Sequence, residues 1–289
     1  MKLCLTCNHK FHANTWQCPQ CAYYPLKFPD YYAFAPELTL DETGFKIEHF
    51  AKFATLEAKN FWFHARNQLI NFAIKNYFSH SKNFFELGCG TGIVLDNIAQ
   101  NFPHFDLFAS DLASTGLQYS ARRIPHATFY QMDARQIPFV EEFDLIGAFD
   151  VLEHIEEDEQ VLAQLYQALA PGGGLILTVP QHQALWSRHD EHLHHVCRYS
   201  QAELTNKVVK AGFQPLRTTS FVSLLLPCMI LARWLKRKSA ENFDCLAELQ
   251  LPMGLNQLFS SILALEQKFI HAGGNFPVGG SLLLLARKR

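Results

Sequence analysis

Phe84-Phe85-Glu86-Leu87-Gly88-Cys89-Gly90-Thr91-Gly92 is the stretch on which the reading of the fold turns. An apolar run with an acidic residue, then glycine at alternate positions, reads as a strand that ends in a sharp turn and opens a helix. Glycine lets such a turn take left-handed angles and lets the backbone lie close against a ligand. The spacing is G-x-G-x-G, not the G-x-G-x-x-G of dinucleotide sites, so the turn is not laid out for a pyrophosphate. A glycine turn between strand and helix also occurs for purely structural reasons, so the flanking sequence has to decide.

Outward from this turn the chain alternates between the two hydrophobic periods. Downstream, helices are expected at 92–102, 113–122 and 158–170, and strands at 105–110, 127–131, 143–149 and 174–179. Ser200, with Glu203 three positions on, has the form of a helix N-cap and opens a helix to Ala211. A strand at 213–219, two helical stretches near 221–237 and 255–271, and a last apolar run at 281–286 complete the chain. Upstream, Phe50, Phe53, Leu56, Phe61, Leu69, Phe72 and Ile74 follow a helical period over 47–78. Alternating strands and helices imply an α/β fold, an open, mostly parallel sheet with helices on both faces.

Ligands of such sheets lie beyond the carboxyl ends of the strands. Acidic residues recur there. Glu86 stands on the first strand, Asp111-Leu112 ends the next, Asp133-Ala134 follows the third, and Asp150 closes the fourth within Phe149-Asp150-Val151-Leu152-Glu153-His154. An aspartate at the position of Asp111 can accept hydrogen bonds from ribose hydroxyls. Each acid alone could be a turn or cap residue. Their recurrence in strand order is what singles out a nucleoside site.

The segments FFELGCGTG, SDLA, QMDARQIPF, FDVLEHI and LAPGGGLILTVP resemble class I S-adenosylmethionine (SAM)-dependent methyltransferases. They are most similar to the group containing the ubiquinone and menaquinone biosynthesis enzymes, over about residues 55–215. The resemblance implies a Rossmann-like sheet of seven strands whose last strand, near 279–287, is antiparallel. It implies SAM as cofactor, with Glu86, Gly88, Cys89, Gly90, Gly92, Asp111, Leu112, Asp133, Ala134 and Asp150 around it. Arg66, in Trp62-Phe63-His64-Ala65-Arg66, matches an arginine that holds the methionine carboxylate in the ubiquinone relatives; the alternative is a surface arginine lying over aromatic neighbours. Asp150-x-x-Glu153-His154 is similar to a divalent-cation group of the same relatives, or it is simply an acidic helix start.

After the strand at 174–179 comes a loop rich in histidine, Leu185 to Tyr199, holding His189, His192, His194 and His195 with Asp190 and Glu191. Asp190, His194, Arg198 and Tyr199 resemble a D-x-x-x-H-x-R-R-Y-like segment of the family, with Cys197 replacing an arginine. Three readings stay open. His194 or His182 is a general base, with Asp190 beside it; histidine and aspartate ligate a metal; or the loop is a hydrogen-bonded lid.

Cys4-x2-Cys7 and Cys18-x2-Cys21 are two knuckles at zinc-ribbon spacing. A segment of residues 1–25 has too little core to fold unaided, so a structural Zn2+ would supply its folding energy. Residues 26–45 read as an irregular, aromatic linker, and 46–289 as the methyltransferase domain with a helical insertion at about 221–277. The remaining cysteines, Cys89, Cys197, Cys228 and Cys245, read as small buried residues.

A net charge of −2 and 18% charged residues give no general electrostatic grip on nucleic acid. Without an apolar leader in residues 1–21, and with thiols spaced as ligands, a cytoplasmic location is expected. Residues 221–235 are apolar but too short to span a bilayer. Flanked by Lys236-Arg237-Lys238, they suit a membrane surface. The leading expectation is therefore methyl transfer to a small, apolar or lipid-like acceptor. An RNA or protein methyltransferase gripping its substrate with the ribbon, and a non-catalytic SAM-binding module, are the alternatives.

Overall fold

The computed structural model describes residues 1–38, 53–236 and 250–289. Expectations for residues 39–45 and 47–52, for Arg237 and Lys238, and for Cys245 fall outside the described residues. β1 (Lys2–Leu3) and β2 (Lys10–Phe11) form a small antiparallel pair within the cysteine module. The remaining strands are β3 (Leu26–Lys27), β4 (Tyr31–Ala33), β5 (Asn83–Leu87), β6 (Asp106–Asp111), β7 (Thr128–Gln131), β8 (Phe143–Phe149), β9 (Leu169–Pro180), β10 (Phe213–Phe221) and β11 (Ser281–Lys288). They join one sheet in the order β10-β11-β9-β8-β5-β6-β7-β4-β3. β4 to β9 run parallel, while β11 is antiparallel to both β9 and β10.

The expected seven strands are thereby corrected to a nine-stranded sheet. The two additions come from the segment read as an irregular linker. β4 pairs in parallel with β7, and β3 folds back on β4. An edge strand offers a row of unpaired backbone groups, and Tyr31 and Ala33 alternate inward to occupy it. The side chain of Gln131, fully buried, completes the join. Its amide donates to Ala35 O at 2.7 Å, and its carbonyl accepts from Ala35 N at 3.2 Å. Pro29 and the closely spaced aromatics hide this short alternation in the sequence.

Helices cover both faces. α1 (Phe61–Tyr77), α2 (Ile93–Asn101), α3 (Ser114–Arg123) and α8 (Met253–His271) share a core with Phe84. α4 (Asp158–Ala168) and α6 (Gln201–Lys210) share the opposite core with Phe85. Neighbouring residues of β5 thus feed different cores, the period-two alternation of a strand buried on both sides. The helix expected over 47–78 is interrupted in its described part. Residues 53–57 are helical, and Asn60 restarts the chain by accepting a hydrogen bond from Trp62 N at 2.9 Å. A short helix not foreseen from sequence, α5 (Arg188–His192), lies in the histidine loop, where Ser187 and Asp190 form a reciprocal capping box.

Between β10 and β11 the chain forms α7 (Leu226–Lys236) and then α8. Glu266 of α8 accepts the backbone N–H groups of Val222, Ser223 and Leu224 at 2.6, 2.7 and 2.8 Å. Its carboxylate thereby fixes the turn that leaves the sheet. Gln267 reaches Ala65 O at 2.9 Å and ties α8 to α1.

The cysteine module docks on the β7 side of the sheet. Leu3 N donates to Pro138 O and Val140 N to Met1 O, both at 2.9 Å. Trp16, 5% exposed, sets its ring against Phe34, Phe139 and Tyr130 at 4.6, 5.3 and 5.8 Å. Edge-on aromatic contacts of this kind add to the area buried.

Candidate cofactor and acceptor site

The site lies where β5 is flanked by β6 on one side and β8 on the other, the point at which strand order reverses. Leu87 ends β5, and Gly88, Gly90 and Gly92 take φ angles of +71°, +51° and +77°. A side chain at Gly88 would meet Val151 Cγ2 at 2.5 Å. At Gly90 nothing lies within 4 Å of the place a Cβ would take, so the backbone there faces open space. The G-x-G-x-G pattern has two separate causes: close packing at its first glycine and a bare face at its second.

Asp111, at the tip of β6, holds the loop from the other side. Its carboxylate accepts Gly90 N at 2.7 Å and Ala113 N at 2.9 Å. Burial raises its pKa, and those backbone hydrogen bonds oppose the rise. Leu112 O accepts from Gln131 at 3.3 Å, so this turn is also tied to the β4–β7 join. Asp133, after β7, is bonded by Arg135 N at 2.8 Å and by Arg135 Nε at 3.0 Å, and Arg135 continues to Glu157. Ala134 follows it, partly buried.

A group of buried ionisable side chains gathers behind the loop. Arg66 Nη1 donates to Asp150 Oδ2 at 2.6 Å, and its guanidinium lies over the Trp62 and Phe63 rings at 4.8 and 5.3 Å. The reading of Arg66 as a surface residue is corrected, since it is buried, paired with Asp150 and stacked on two rings. Its Nε has no protein partner. Asp150 sits at φ +59° and also accepts from Thr178 Oγ1 at 3.1 Å. Glu86, 2% exposed, has an unpartnered Oε2, and burial holds its pKa well above the usual carboxylate range. Glu57 accepts a hydrogen bond from Thr91 Oγ1 of the glycine turn, and burial pushes its carboxyl up to about 7. Nothing in the pattern of the helical stretch distinguishes Glu57 from a surface acid.

The histidine loop is organised around Asp190, which is fully buried. Its carboxylate accepts from Ser187 N at 2.8 Å, Ser187 Oγ at 3.0 Å, Arg198 Nε at 2.7 Å and His195 Nδ1 at 3.0 Å. These hydrogen bonds and the charge of Arg198 hold its carboxyl well below the usual range despite burial. Asp190 is therefore an organising acceptor whose oxygens are already engaged, and the structure pairs it with His195, not with His194. His194 is exposed at φ +55°, and His182 is half-buried at φ +63° with an unpartnered Nε2. Sequence offered no means of choosing His195 among four neighbouring histidines. Only the return of the chain from α5 brings its ring onto Asp190.

Glu153, His154 and His195 come together beyond β8, each offering a ligand atom within 4.8 Å of the others. The carboxylate of Glu153 has no hydrogen-bond partner on either oxygen, and burial raises its pKa well above the ordinary value. Burial, with His195 nearby, lowers the His154 pKa to about 4. In the N-terminal module the sulfurs of Cys4, Cys7, Cys18 and Cys21 also lie within 4.8 Å of one another, with Cys4–Cys21 at 3.5 Å and Cys7–Cys18 at 3.6 Å. A tetrahedral zinc thiolate with bonds of about 2.3 Å has sulfur–sulfur edges of about 3.8 Å, so the four thiols fit that metal.

A model of a methyltransferase domain matches residues 57–218, which contain the glycine turn and all the strand-tip acids. Trans-aconitate 2-methyltransferase of Variovorax paradoxus is 32% identical over 119 residues, covering 41% of this chain and 44% of that one. Malonyl-[acyl-carrier protein] O-methyltransferase of Bacillus cereus is 28% identical over 111 residues, 38% of this chain and 41% of that one. The chain thus matches less than half the length of either relative. Among solved structures, phosphoethanolamine N-methyltransferase 2 of Haemonchus contortus, in complex with S-adenosyl-L-methionine, shares the fold. Its TM-score is 0.57 and its identity 17%, over 86% of this chain and 59% of that one. Since the family match takes in more than half of the 289 residues and centres on the turn between β5 and α2, this chain belongs to the methyltransferase domain family.

Proposed function

We propose that the chain is a SAM-dependent methyltransferase that methylates oxygen or carbon of a small, apolar or lipid-like acceptor. The carrying observation is the turn at 88–92, where Gly90 presents bare backbone to open space and its N–H is held by Asp111, with Glu86 Oε2 buried and unpartnered on the strand that leads into the turn. These residues fit SAM. Asp111, next to Leu112, would bind the ribose, and Asp133 and Ala134 would border the adenine. Gly88, Cys89, Gly90, Gly92, Glu86 and Asp150 would line the methionine portion, with Arg66 Nε offered to its carboxylate. When bound, SAM supplies a methyl group already activated on a sulfonium. The protein's own work is to align the acceptor in line with that methyl and to keep water away.

Support for an apolar acceptor comes from the insertion. Leu224, Ile230, Leu231 and Trp234 of the α7 region and Leu258 and Phe269 of α8 are all exposed. An apolar surface of that kind marks a binding or membrane-contact region. Among the described residues no helix is long and apolar enough to cross a membrane. A cytoplasmic enzyme in peripheral contact with a bilayer fits this description. Cys4, Cys7, Cys18 and Cys21 would hold a structural Zn2+, and the ribbon they form braces the fold through Trp16.

The test is calorimetry with SAM and its demethylated product, S-adenosylhomocysteine, on zinc-replete protein, beside a radiolabelled acceptor screen. Micromolar binding that Asp111→Ala weakens at least about tenfold is expected. An absence of heat with either nucleoside, unchanged by Asp111→Ala, refutes the reading.

A further inference from the structure

We infer that Gln131 is a positioning residue for the cofactor: it ties the ribose-binding turn after β6 to the N-terminal strand β4, so that affinity for SAM depends on the cysteine module being metal-bound and docked. The inference rests on the methyltransferase reading and adds to it a means of regulating that site.

The join is made by one buried amide. Gln131, 0% exposed, ends β7 between β6 and β4, opposite Asp111 on one side and Ala33 on the other. A primary amide has two N–H groups to donate and one carbonyl to accept with. Here all of them are engaged. Nε2 donates to Ala35 O at 2.7 Å and to Leu112 O at 3.3 Å, and Oε1 accepts from Ala35 N at 3.2 Å. Leu112 lies between Asp111, assigned to the ribose, and Ala113, whose N–H that aspartate accepts. The main chain repeats the link, since Phe34 N donates to Gln131 O at 2.8 Å and Met132 N to Asp111 O at 3.3 Å. Without β4 the amide faces solvent at a sheet edge, free to exchange Leu112 O for water.

The cysteine module holds β4 in place. Trp16, two residues before Cys18, packs against this join. Its partners Phe34 at 4.6 Å and Tyr130 at 5.8 Å immediately precede Ala35 and Gln131. Lys2 Nζ donates to Ala13 O and Thr15 O at 2.6 and 2.9 Å, and so ties the loop carrying Trp16 to β1. Yet the module's own buried cluster is Cys4, Phe11 and Cys18, two of which are thiols of the zinc-shaped set. So small a cluster orders the Trp16 loop only with the binding energy of a metal.

β4 has three residues and β3 two, so this edge is the part of the sheet that opens most readily. It is an element with two states, docked and open, biased from both ends. The module favours the docked state through Trp16. Bound cofactor favours it through Asp111, Leu112 and Gln131. Coupling of this kind is reciprocal: what docking adds to cofactor affinity, the cofactor returns to docking.

The experiment needs no known acceptor. Full-length zinc-replete protein is titrated with S-adenosylhomocysteine by calorimetry, beside Trp16→Ala, Gln131→Ala and the double variant. Each single variant should raise the Kd at least about fivefold, the lower end of ordinary coupling. The double variant should bind no more than about twofold weaker than Gln131→Ala, because both changes cut the same join. Chelation of zinc should weaken the parent protein as Trp16→Ala does. A purely structural role for Gln131 predicts a lower Tm with an unchanged Kd, and that result overturns the inference. So does a chelated protein that binds undiminished, or multiplication of the two losses in the double variant. Hydrogen exchange on the unaltered protein decides the case if a variant does not fold. Saturating S-adenosylhomocysteine should slow exchange of the Phe34 and Ala35 amides at least about fivefold and leave β10, at the opposite side of the sheet, unchanged. Equal exchange at Phe34 and Ala35 with and without the nucleoside overturns the inference and leaves the methyltransferase reading intact. Failure of the nucleoside to bind at all removes the proposed function and this inference together.

Discussion

Adding one methyl group at Gly88 and at Gly90 should give opposite phenotypes. Both residues sit at positive φ, +71° and +51°, where an L side chain costs about 1–2 kcal/mol. At Gly88 the new Cβ would also lie 2.5 Å from Val151 Cγ2, and overpacking of that kind costs about 1–3 kcal/mol more. Gly88→Ala should therefore lose about 2–5 kcal/mol, and at about 2 °C per kcal/mol its Tm should fall by about 4–10 °C. At Gly90 the Cβ meets no protein atom within 4 Å. Gly90→Ala should lose only about 2–4 °C in Tm, for the backbone term alone. Its methyl, however, stands in the space assigned to the cofactor, so affinity for S-adenosylhomocysteine should drop at least about tenfold. Thermal unfolding monitored by fluorescence, with calorimetric binding, reads both quantities. Adding Val151→Ala to Gly88→Ala should recover the overpacking part of the loss. Equal destabilisation of the two single variants, or a Gly90→Ala protein that binds undiminished, would refute the assignment of the two glycines.

Two further outcomes are expected. Burial raises the Glu57 pKa from 4.5 to about 7. The folded state thus keeps a proton the unfolded chain has already lost, and stability falls by about 3 kcal/mol as pH rises from about 4.5 to 7. Urea midpoints at pH 5 and pH 8 should show Glu57→Gln gaining on the parent protein at the higher pH, and a pH-independent difference would contradict this. Chelation of zinc, or Cys4→Ser with Cys7→Ser, should abolish one equivalent of bound metal and release Trp16 from Phe34, Phe139 and Tyr130. The readout is a red shift in tryptophan emission, and an unchanged spectrum in metal-free protein would show that the contact does not depend on the ribbon.

Much of the central sheet was legible because buried parallel strands write themselves as apolar runs and because glycine marks the turn at 88–92. The strand-tip acids were legible for the same reason, as they occur at fixed places after those runs. β3 and β4 were not. A strand of two or three residues such as Tyr31–Ala33 carries too short an alternation to register, and it forms only because β7 offers an edge to pair with. The partner of Asp190 was also out of reach. The resemblance to a D-x-x-x-H segment pointed to His194, but the geometry of α5 leaves that residue exposed and brings His195 back to the carboxylate. Glu57 and Gln131 act through contacts with residues far along the chain, Thr91 and Ala35, which local pattern cannot anticipate.

The pairing of β4 with β7 has a consequence for truncation. Removing residues 1–35 would do more than delete the four-cysteine module. It would strip the cover from Phe129 and Tyr130, leave the Gln131 amide without its acceptor at Ala35, and present a bare parallel edge to other chains in solution. Exposed edges of that kind template intermolecular association. A shortened protein should thus be found as soluble oligomers or precipitate, even with every residue of the glycine turn in place.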